Sequence, residues 1–253
     1  MKAVLVTGTG SSIGREVALY FGNEKFRILT HGSGYKDSLK ETNKILESRG
    51  IDYATYIADF ASLPMVEKTC DEILKSESRI DVIVNVAGGA NAYGYNKITT
   101  QQIVDSVNIN LVATMVMTHK LIPLLADKSL IVLTSAMPGI RSGWYPTDAC
   151  YDAAKGGLMR FGENLARNLA PKTRVNTIII GLNYVDDNHK AWRTACEKQI
   201  PMKRIAYAED YVKCVQFFWN HEYINGVSLP LDGGWSVFNA SPSFSTATDW
   251  GKG

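Results

Sequence analysis

The chain has 253 residues, 45% hydrophobic and 21% charged, which is enough apolar material for one sizeable core and an ordinary length for a single α/β domain. Its 27 basic and 25 acidic residues give a formal charge of +2, with no excess that would point to nucleic acid or an anionic membrane as the main partner, so a small-molecule substrate is expected. Cys70, Cys150, Cys196 and Cys214 stand far apart with neither a C-x-x-C nor a His/Cys ligand spacing, so they read as reduced thiols and no metal site is expected. The basic and apolar start, Met1 to Val6, stops at Thr7-Gly8, too short for a signal-peptide core. No stretch approaches the ~18–20 apolar residues of a membrane span, and the expectation is a cytoplasmic protein with no membrane partner.

Ala3 to Val6 reads as a buried strand, followed at once by the turn Thr7-Gly8-Thr9-Gly10-Ser11-Ser12-Ile13-Gly14 and a helical run from Arg15 to Phe21. Strand, glycine-rich turn and helix in that order let a ligand approach the backbone closely and meet the unpaired N–H groups and positive dipole end of the helix. Further strands are expected at Phe26–Thr30, Asp52–Ile57, Asp81–Val86, Leu130–Thr134, Arg174–Ile179 and Val227–Leu231. Helices are expected at Asp37–Arg49, Leu63–Lys75, Thr99–Ala126, Cys150–Leu169, Ala191–Gln199 and Glu209–Trp219. Such βα alternation with short β-branched strands predicts a doubly wound parallel sheet of Rossmann type, covered by helices on both faces. One domain is expected over residues 1–235, with a short carboxyl-terminal tail, 236–253, that carries Phe244 and Trp250.

The segment Tyr151-Asp-Ala-Ala-Lys155 places a phenol and an ammonium one helical turn apart, on one face. A cation beside a Tyr favours its anionic form, so the pair can do acid/base chemistry; an ordinary surface helix is the plainer alternative. In a doubly wound sheet ligands bind outside the carboxyl ends of the strands. Those ends carry the glycine turn, Asp59, Asn85-Val86-Ala87-Gly88, Ser135 and Gly181.

In order and spacing this set, with Tyr151 and Lys155, resembles the short-chain dehydrogenase/reductase family, in its branch of about 250 residues, over roughly Ala3 to Trp235. The resemblance implies an oxidoreductase that moves a hydride between a nicotinamide cofactor and a carbonyl or secondary alcohol, with Asn110, Ser135, Tyr151 and Lys155 as the catalytic set. It also implies that Thr7, Gly8, Ser11, Ser12, Ile13, Gly14, Ser33, Asp59, Phe60, Asn85, Ala87, Gly88 and Gly181 bind the cofactor together with Tyr151 and Lys155. Ser135, Trp144, Tyr145, Tyr151 and Tyr184 would meet the substrate. Asp59 could instead cap the helix that follows it. The family's pattern is broken at Ser12, where a Gly is usual, at Val86 in place of a second Asn, at Ile180 in place of Pro, and near Val185, where a Thr is usual. The Ser135–Tyr151 interval is also a few residues long and holds Pro138, Gly139, Gly143 and Pro146.

The end of the second strand, Thr30-His31-Gly32-Ser33-Gly34-Tyr35-Lys36, has no acid to repel a 2′-phosphate, and Gly32, Ser33 and Lys36, with His31 and Arg15 nearby, favour NADP over NAD. The polar and aromatic segment after Gly181, Leu182 to Arg193, suits a small polar substrate, sugar-like or carboxylated. Two alternatives remain at this point: a cofactor-binding or sensing protein with impaired catalysis, suggested by Ser12, Val86 and Ile180, and a lyase or isomerase that uses Tyr151 without net oxidation. The family resemblance, with the apolar stretches Ile109–Met117 and Phe217–Trp219, implies a homotetramer or homodimer.

Overall fold

Seven strands, β1 (Ala3–Thr7), β2 (Arg27–Gly32), β3 (Tyr53–Ile57), β4 (Ile80–Asn85), β5 (Leu125–Ala136), β6 (Thr173–Ile180) and β7 (Ser228–Leu231), form one sheet in the order 3-2-1-4-5-6-7. All neighbouring strands are parallel. This computed structural model describes residues 1–34, 36–90, 95–141, 149–184 and 190–237, with the side chains of 190–192 excepted. The expected doubly wound fold is therefore observed. Most of the expected 236–253 tail lies outside the described residues.

The strands bury both faces, and their alternation decides which residue serves which face. Val4, Val6, Val82, Val84, Leu130 and Val132 point to one side and pack with α1 (Ser12–Asn23), α2 (Asp37–Ser48) and α8 (Ala208–Asn220). Leu5, Ile83, Ile131 and Leu133 point to the other and meet α3 (Leu63–Ser76), α5 (Ala113–Leu121) and α6 (Ala149–Leu169). A third, smaller cluster of Met137, Ile200, Ile205 and Trp235, with Leu182 and Tyr184 against it, sits beyond the sheet and underlies α7 (Lys190–Gln199).

The single helix expected over Thr99–Ala126 is corrected. It is α4 (Thr100–Val107), a π-helical turn at Asn108–Val112, α5, and a 3₁₀ turn at Ile122–Leu124, while Leu125 and Ala126 already belong to β5. Thr99 and Gln102 form a reciprocal capping box that fixes the start of α4. The π turn admits an extra residue into the helix, a local widening that recurs at functional positions, and it holds Asn110 almost wholly buried.

Strand β6 is tied to the end of α8 through one side chain. Arg174 is 8% exposed, and its guanidinium donates to the carbonyls of Phe218 at 2.7 Å, His221 at 3.1 Å, Ile224 at 3.2 Å and Trp219 at 3.4 Å. Those carbonyls belong to the helix end and the turn after it, where intrahelical donors run out. Replacing Arg174 by Met keeps the stem and removes the donors; it is expected to lower the unfolding free energy in urea by about 2–3 kcal/mol. An unchanged midpoint would mean that water satisfies those carbonyls equally well.

Candidate active site

Strand order reverses between β1 and β4, and the turns after these two strands meet there. Gly8 follows β1 with φ +72°, and a Cβ on it would lie 3.1 Å from the Ala87 backbone nitrogen and Cα. Thr7, fully buried, accepts a hydrogen bond from the Ala87 amide at 3.0 Å, so it joins the two turns from behind. Ser11 caps α1: its hydroxyl accepts from the Gly14 amide at 3.1 Å and donates to the Gly8 carbonyl at 2.8 Å. Only glycine fits at position 14, where a Cβ would stand 2.3 Å from the Gly8 carbonyl oxygen.

The turn is also held by His31. Its ring lies wholly in the interior, with Nε2 3.1 Å from the Ala58 carbonyl and Nδ1 3.4 Å from the Gly8 amide. The neutral tautomer with its proton on Nε2 satisfies both contacts, donating to Ala58 and accepting from Gly8. Burial pushes the His31 pKa down to about 4, against a weaker opposing pull from the Ala58 carbonyl. His31 therefore contributes no positive charge near neutral pH. Its ring packs on Phe60 at 4.7 Å between centroids.

Two adjoining recesses open above these turns, of about 520 and about 600 Å³, and they share Ser11, Val86, Gly88, Gly89 and Ala90. The first is lined by Gly8, Ala87, His31, Ser33, Lys36, Asp59 and Phe60. Asp59 accepts from the Ala61 amide at 3.0 Å, but α3 begins after Ser62, so the alternative of Asp59 as that helix's cap is not realised. The expected help from Arg15 is corrected as well. Its guanidinium is engaged by Glu41 at 2.8 Å, Thr42 at 3.1 Å and the Ser38 carbonyl at 3.4 Å, which ties α1 to α2. Lys36 is the cation left in this recess among the described residues.

The second recess is lined by Ile13, Thr134, Ser135, Tyr151, Lys155, Tyr184 and Arg193, among others. Lys155 is 4% exposed, donates to the Thr134 carbonyl at 2.9 Å, and lies 5.6 Å from the centroid of the Tyr151 ring. Burial pushes its pKa down to about 8. A Cβ on Gly88 would lie 3.0 Å from the Lys155 ammonium and 2.9 Å from Asn110 Oδ1, so a glycine is required there. Asn110 accepts from the Gly89 amide and donates to the Gly89 and Ser106 carbonyls, each at 3.0 Å. Ser135 donates to the Lys155 carbonyl at 2.8 Å.

The sequence-derived residues thus divide. Gly8, Ser11, Ile13, Ser33, Asp59, Phe60, Ala87, Gly88, Ser135, Tyr151, Lys155 and Tyr184 line the recesses. Thr7, Gly14, Asn85 and Asn110 lie buried behind that surface. Asn85 is 2% exposed and neither atom of its amide meets a protein partner. Ser12 turns its hydroxyl towards the Tyr184 carbonyl at a long 3.5 Å, and Gly181 packs against Asp232, which a Cβ would approach to 2.8 Å. Trp144, Tyr145, Val185, Gly143 and Pro146 lie outside the described residues. Sequence reasoning missed Thr134, whose carbonyl receives Lys155 and whose hydroxyl meets buried Tyr211 at 2.6 Å. The signal was available in strand alternation, since Thr134 must face opposite to Ser135.

Glycines that floor both recesses, a helix start at their junction and a buried Lys next to a Tyr form a site that fits a dinucleotide and a small reactant. The chain belongs to the short-chain dehydrogenase/reductase family: the family model described as enoyl-(acyl carrier protein) reductase matches residues 8–236. Among known proteins it is 27% identical over 245 residues to 3-oxoacyl-(acyl-carrier-protein) reductase FabG of Staphylococcus epidermidis, covering 92% of this chain and 98% of that one. It is 27% identical over 250 residues to glucose 1-dehydrogenase 2 of Bacillus subtilis, covering 94% and 95%. A short chain dehydrogenase from Burkholderia cenocepacia, crystallised in complex with NADP, superposes with a TM-score of 0.84 at 24% identity, over 92% of this chain and 97% of that one. Among the described residues no helix is long and apolar enough to cross a membrane.

His31 gives this site a pH signature. Its pKa is depressed in the fold, so the unfolded chain binds the extra proton first as pH falls, and stability contributed by the neutral ring is lost between about pH 6.5 and 4. The loss is expected to reach about 3 kcal/mol at most. His31→Gln keeps polar contacts without titrating and should flatten that segment of the stability–pH curve; curves of equal slope would show that other groups carry the acid sensitivity.

Proposed function

We propose that the protein is a carbonyl reductase, or the reverse alcohol dehydrogenase, which uses a nicotinamide cofactor with a preference for NADPH over NADH. The carrying observation is that Tyr151 and Ser135 line one recess while the ammonium of Lys155 is held at its back by the Thr134 carbonyl. A bound nicotinamide would supply or accept the hydride. The adjoining recess, with Gly8, Ser33, Lys36, Asp59 and Phe60, fits the adenosine half, and the absence of an opposing acid at Gly32-Ser33-Gly34 suits a 2′-phosphate beside Lys36. The NADP found in the Burkholderia cenocepacia fold neighbour agrees with that choice.

In the reducing direction Tyr151 donates its phenolic proton to the carbonyl oxygen. The Lys155 charge favours the tyrosinate left behind, and above about pH 8 that support fades as the ammonium deprotonates. Lys155 would also hold the nicotinamide ribose hydroxyls. Ser135 has one proton, directed at the Lys155 carbonyl in this structure; rotation about its Cβ–Oγ bond redirects it to the substrate oxygen. Asn110, locked by Gly89 and Ser106, keeps the turn beside Lys155 in place and offers a route for the proton to reach solvent through water.

For the substrate, the described part of the segment after Gly181 contributes Asn183, Tyr184 and Arg193 to a recess whose remaining walls include Ile180, Leu182 and Ile205. That mixture supports a small polar carbonyl compound with a short apolar portion. The reading also includes assembly into a tetramer or dimer. Of the apolar stretches expected to make the interface, Ala113, Met117 and Phe218 turn out to be core, whereas Met115 and Phe217 remain 37% and 43% exposed and are available to a partner copy. A monomer by light scattering would refute that part.

Tyr151→Phe removes one oxygen and is expected to lower kcat roughly 100- to 10,000-fold while leaving the NADPH-induced rise in melting temperature unchanged. Equal loss of binding and turnover would assign Tyr151 a structural role. Lys36→Ala should weaken NADPH binding and leave NADH binding as it was; parallel losses would overturn the phosphate assignment.

A further inference from the structure

We propose that Tyr211 is a positioning residue of this site: through the Thr134 hydroxyl it holds the end of β5, and with it the backbone carbonyl on which the Lys155 ammonium rests. This deepens the reductase reading above by adding a residue that lines neither recess. Tyr211 lies on α8, wholly buried against the sheet, with its hydroxyl 2.6 Å from Thr134 Oγ1. Tyr211, Val215 and Phe218 share one face of that helix and all three are fully buried, so a Phe would serve the packing at position 211 equally well. The oxygen is what packing leaves unexplained, because a buried hydroxyl is tolerated only with a partner.

Proton counting fixes the direction of that contact. Two hydroxyls share one hydrogen bond, so one proton lies between them and the other must be placed elsewhere. Tyr211 meets no second acceptor among the described residues, whereas Thr134 lines the larger recess. The arrangement that strands no donor in the interior has the phenol donating and the threonine proton turned towards the recess. Burial raises the Tyr211 pKa against a weaker opposing pull from Thr134, so the phenol keeps its proton and remains a donor. The end of β5 is then gripped from both faces of the sheet. Thr134 receives Tyr211 of α8 on one side, and its neighbour Ser135 donates to the Lys155 carbonyl of α6 at 2.8 Å on the other. Between them the Thr134 carbonyl accepts from the Lys155 ammonium at 2.9 Å. Helix α8 is itself fixed at both ends, by Asp210 accepting from the Tyr207 amide at 2.9 Å and by Arg174 donating to the Phe218 carbonyl at 2.7 Å. Removing the Tyr211 oxygen frees the Thr134 side chain to rotate and its carbonyl to shift, so the ammonium loses support and its neutral form gains. The other ionisable groups lining that recess among the described residues are Tyr151, Tyr184 and Arg193, and none is a carboxylate that would compensate.

The test reads Lys155 directly, by NMR of isotope-labelled lysine Cε in the cofactor-free protein, its signal assigned by its absence in Lys155→Met. Tyr211→Phe and Thr134→Val are each expected to lower the Lys155 titration midpoint by about 0.5–1 pH unit. Thr134→Ser, which keeps the hydroxyl, should retain the wild-type midpoint. The double variant Tyr211→Phe/Thr134→Val should fall no further than Thr134→Val alone, because both changes break one contact. A second readout is the pH profile of NADPH oxidation with diacetyl and methyl acetoacetate as carbonyl probes. There the alkaline limb of kcat should move down with the midpoint while the KM for NADPH stays unchanged. A Lys155 midpoint within about 0.2 pH unit of wild type in either single variant would overturn the proposal and leave the reductase intact. Additive shifts in the double variant would also overturn it, since the two hydroxyls would then act separately. Shifted midpoints in a protein that binds no NADPH would uphold the placement and refute the reductase reading.

Discussion

A buried ammonium is the constraint around which this site is arranged. Lys155 is almost wholly removed from water, and a charge in such a place is tolerated only with partners that replace its hydration. Its hydrogen bond to the Thr134 carbonyl uses a backbone group at the carboxyl end of β5, where the sheet stops and a carbonyl becomes available. The depressed pKa records the remaining cost. Space for the ammonium exists because residue 88 has no side chain, and that residue stays in place because Asn110 grips its neighbour Gly89 by both amide and carbonyl. Asn110 in turn faces inward from a π turn. Each of these features accommodates the same charge.

The glycine turn after β1, which lines the smaller recess, follows a different logic, since it is open on one side and must still keep its shape. Thr7, Thr9, Ser11 and His31 supply that shape from behind. The Thr9 hydroxyl bonds both backbone groups of His31, accepting at 3.1 Å and donating at 3.0 Å, so β1 and β2 remain joined just past their last paired residues. A protonated His31 would carry donors on both nitrogens and leave the Gly8 amide facing a donor, which explains why the interior selects the neutral ring. The residue that the sequence reading set beside the phosphate-favouring turn is thus a neutral strut.

The sheet was legible because its signal is local. Short β-branched runs at regular intervals, separated by amphipathic helices, admit few arrangements, and strand alternation then assigns Val4 and Leu5 to opposite faces. The Thr99–Ala126 segment was misread because a π turn and a 3₁₀ turn change the winding without changing composition, and because Leu125 and Ala126 are as compatible with a helix as with a strand. The recess was legible where its lining follows strand ends, as at Ser135 and Gly88, or a one-turn spacing, as at Tyr151 and Lys155. It was illegible where a residue's role depends on a partner distant in sequence: Arg15 is diverted by Glu41, His31 is neutralised by burial, and Lys155 meets Thr134, 21 residues earlier.

These differences bear on how one scaffold divides its work. The residues that line the two recesses sit largely on strand ends and on α6, held by the sheet and by buried polar contacts. The segment after β6 adds Leu182, Asn183, Tyr184 and Arg193 to the larger recess, and its described part is held by the Asn183–Ala206 bridge and the cluster around Ile205 and Trp235. Under the proposed reading, changes in that segment would alter which molecule is held while leaving Tyr151 and Lys155 on α6 in place.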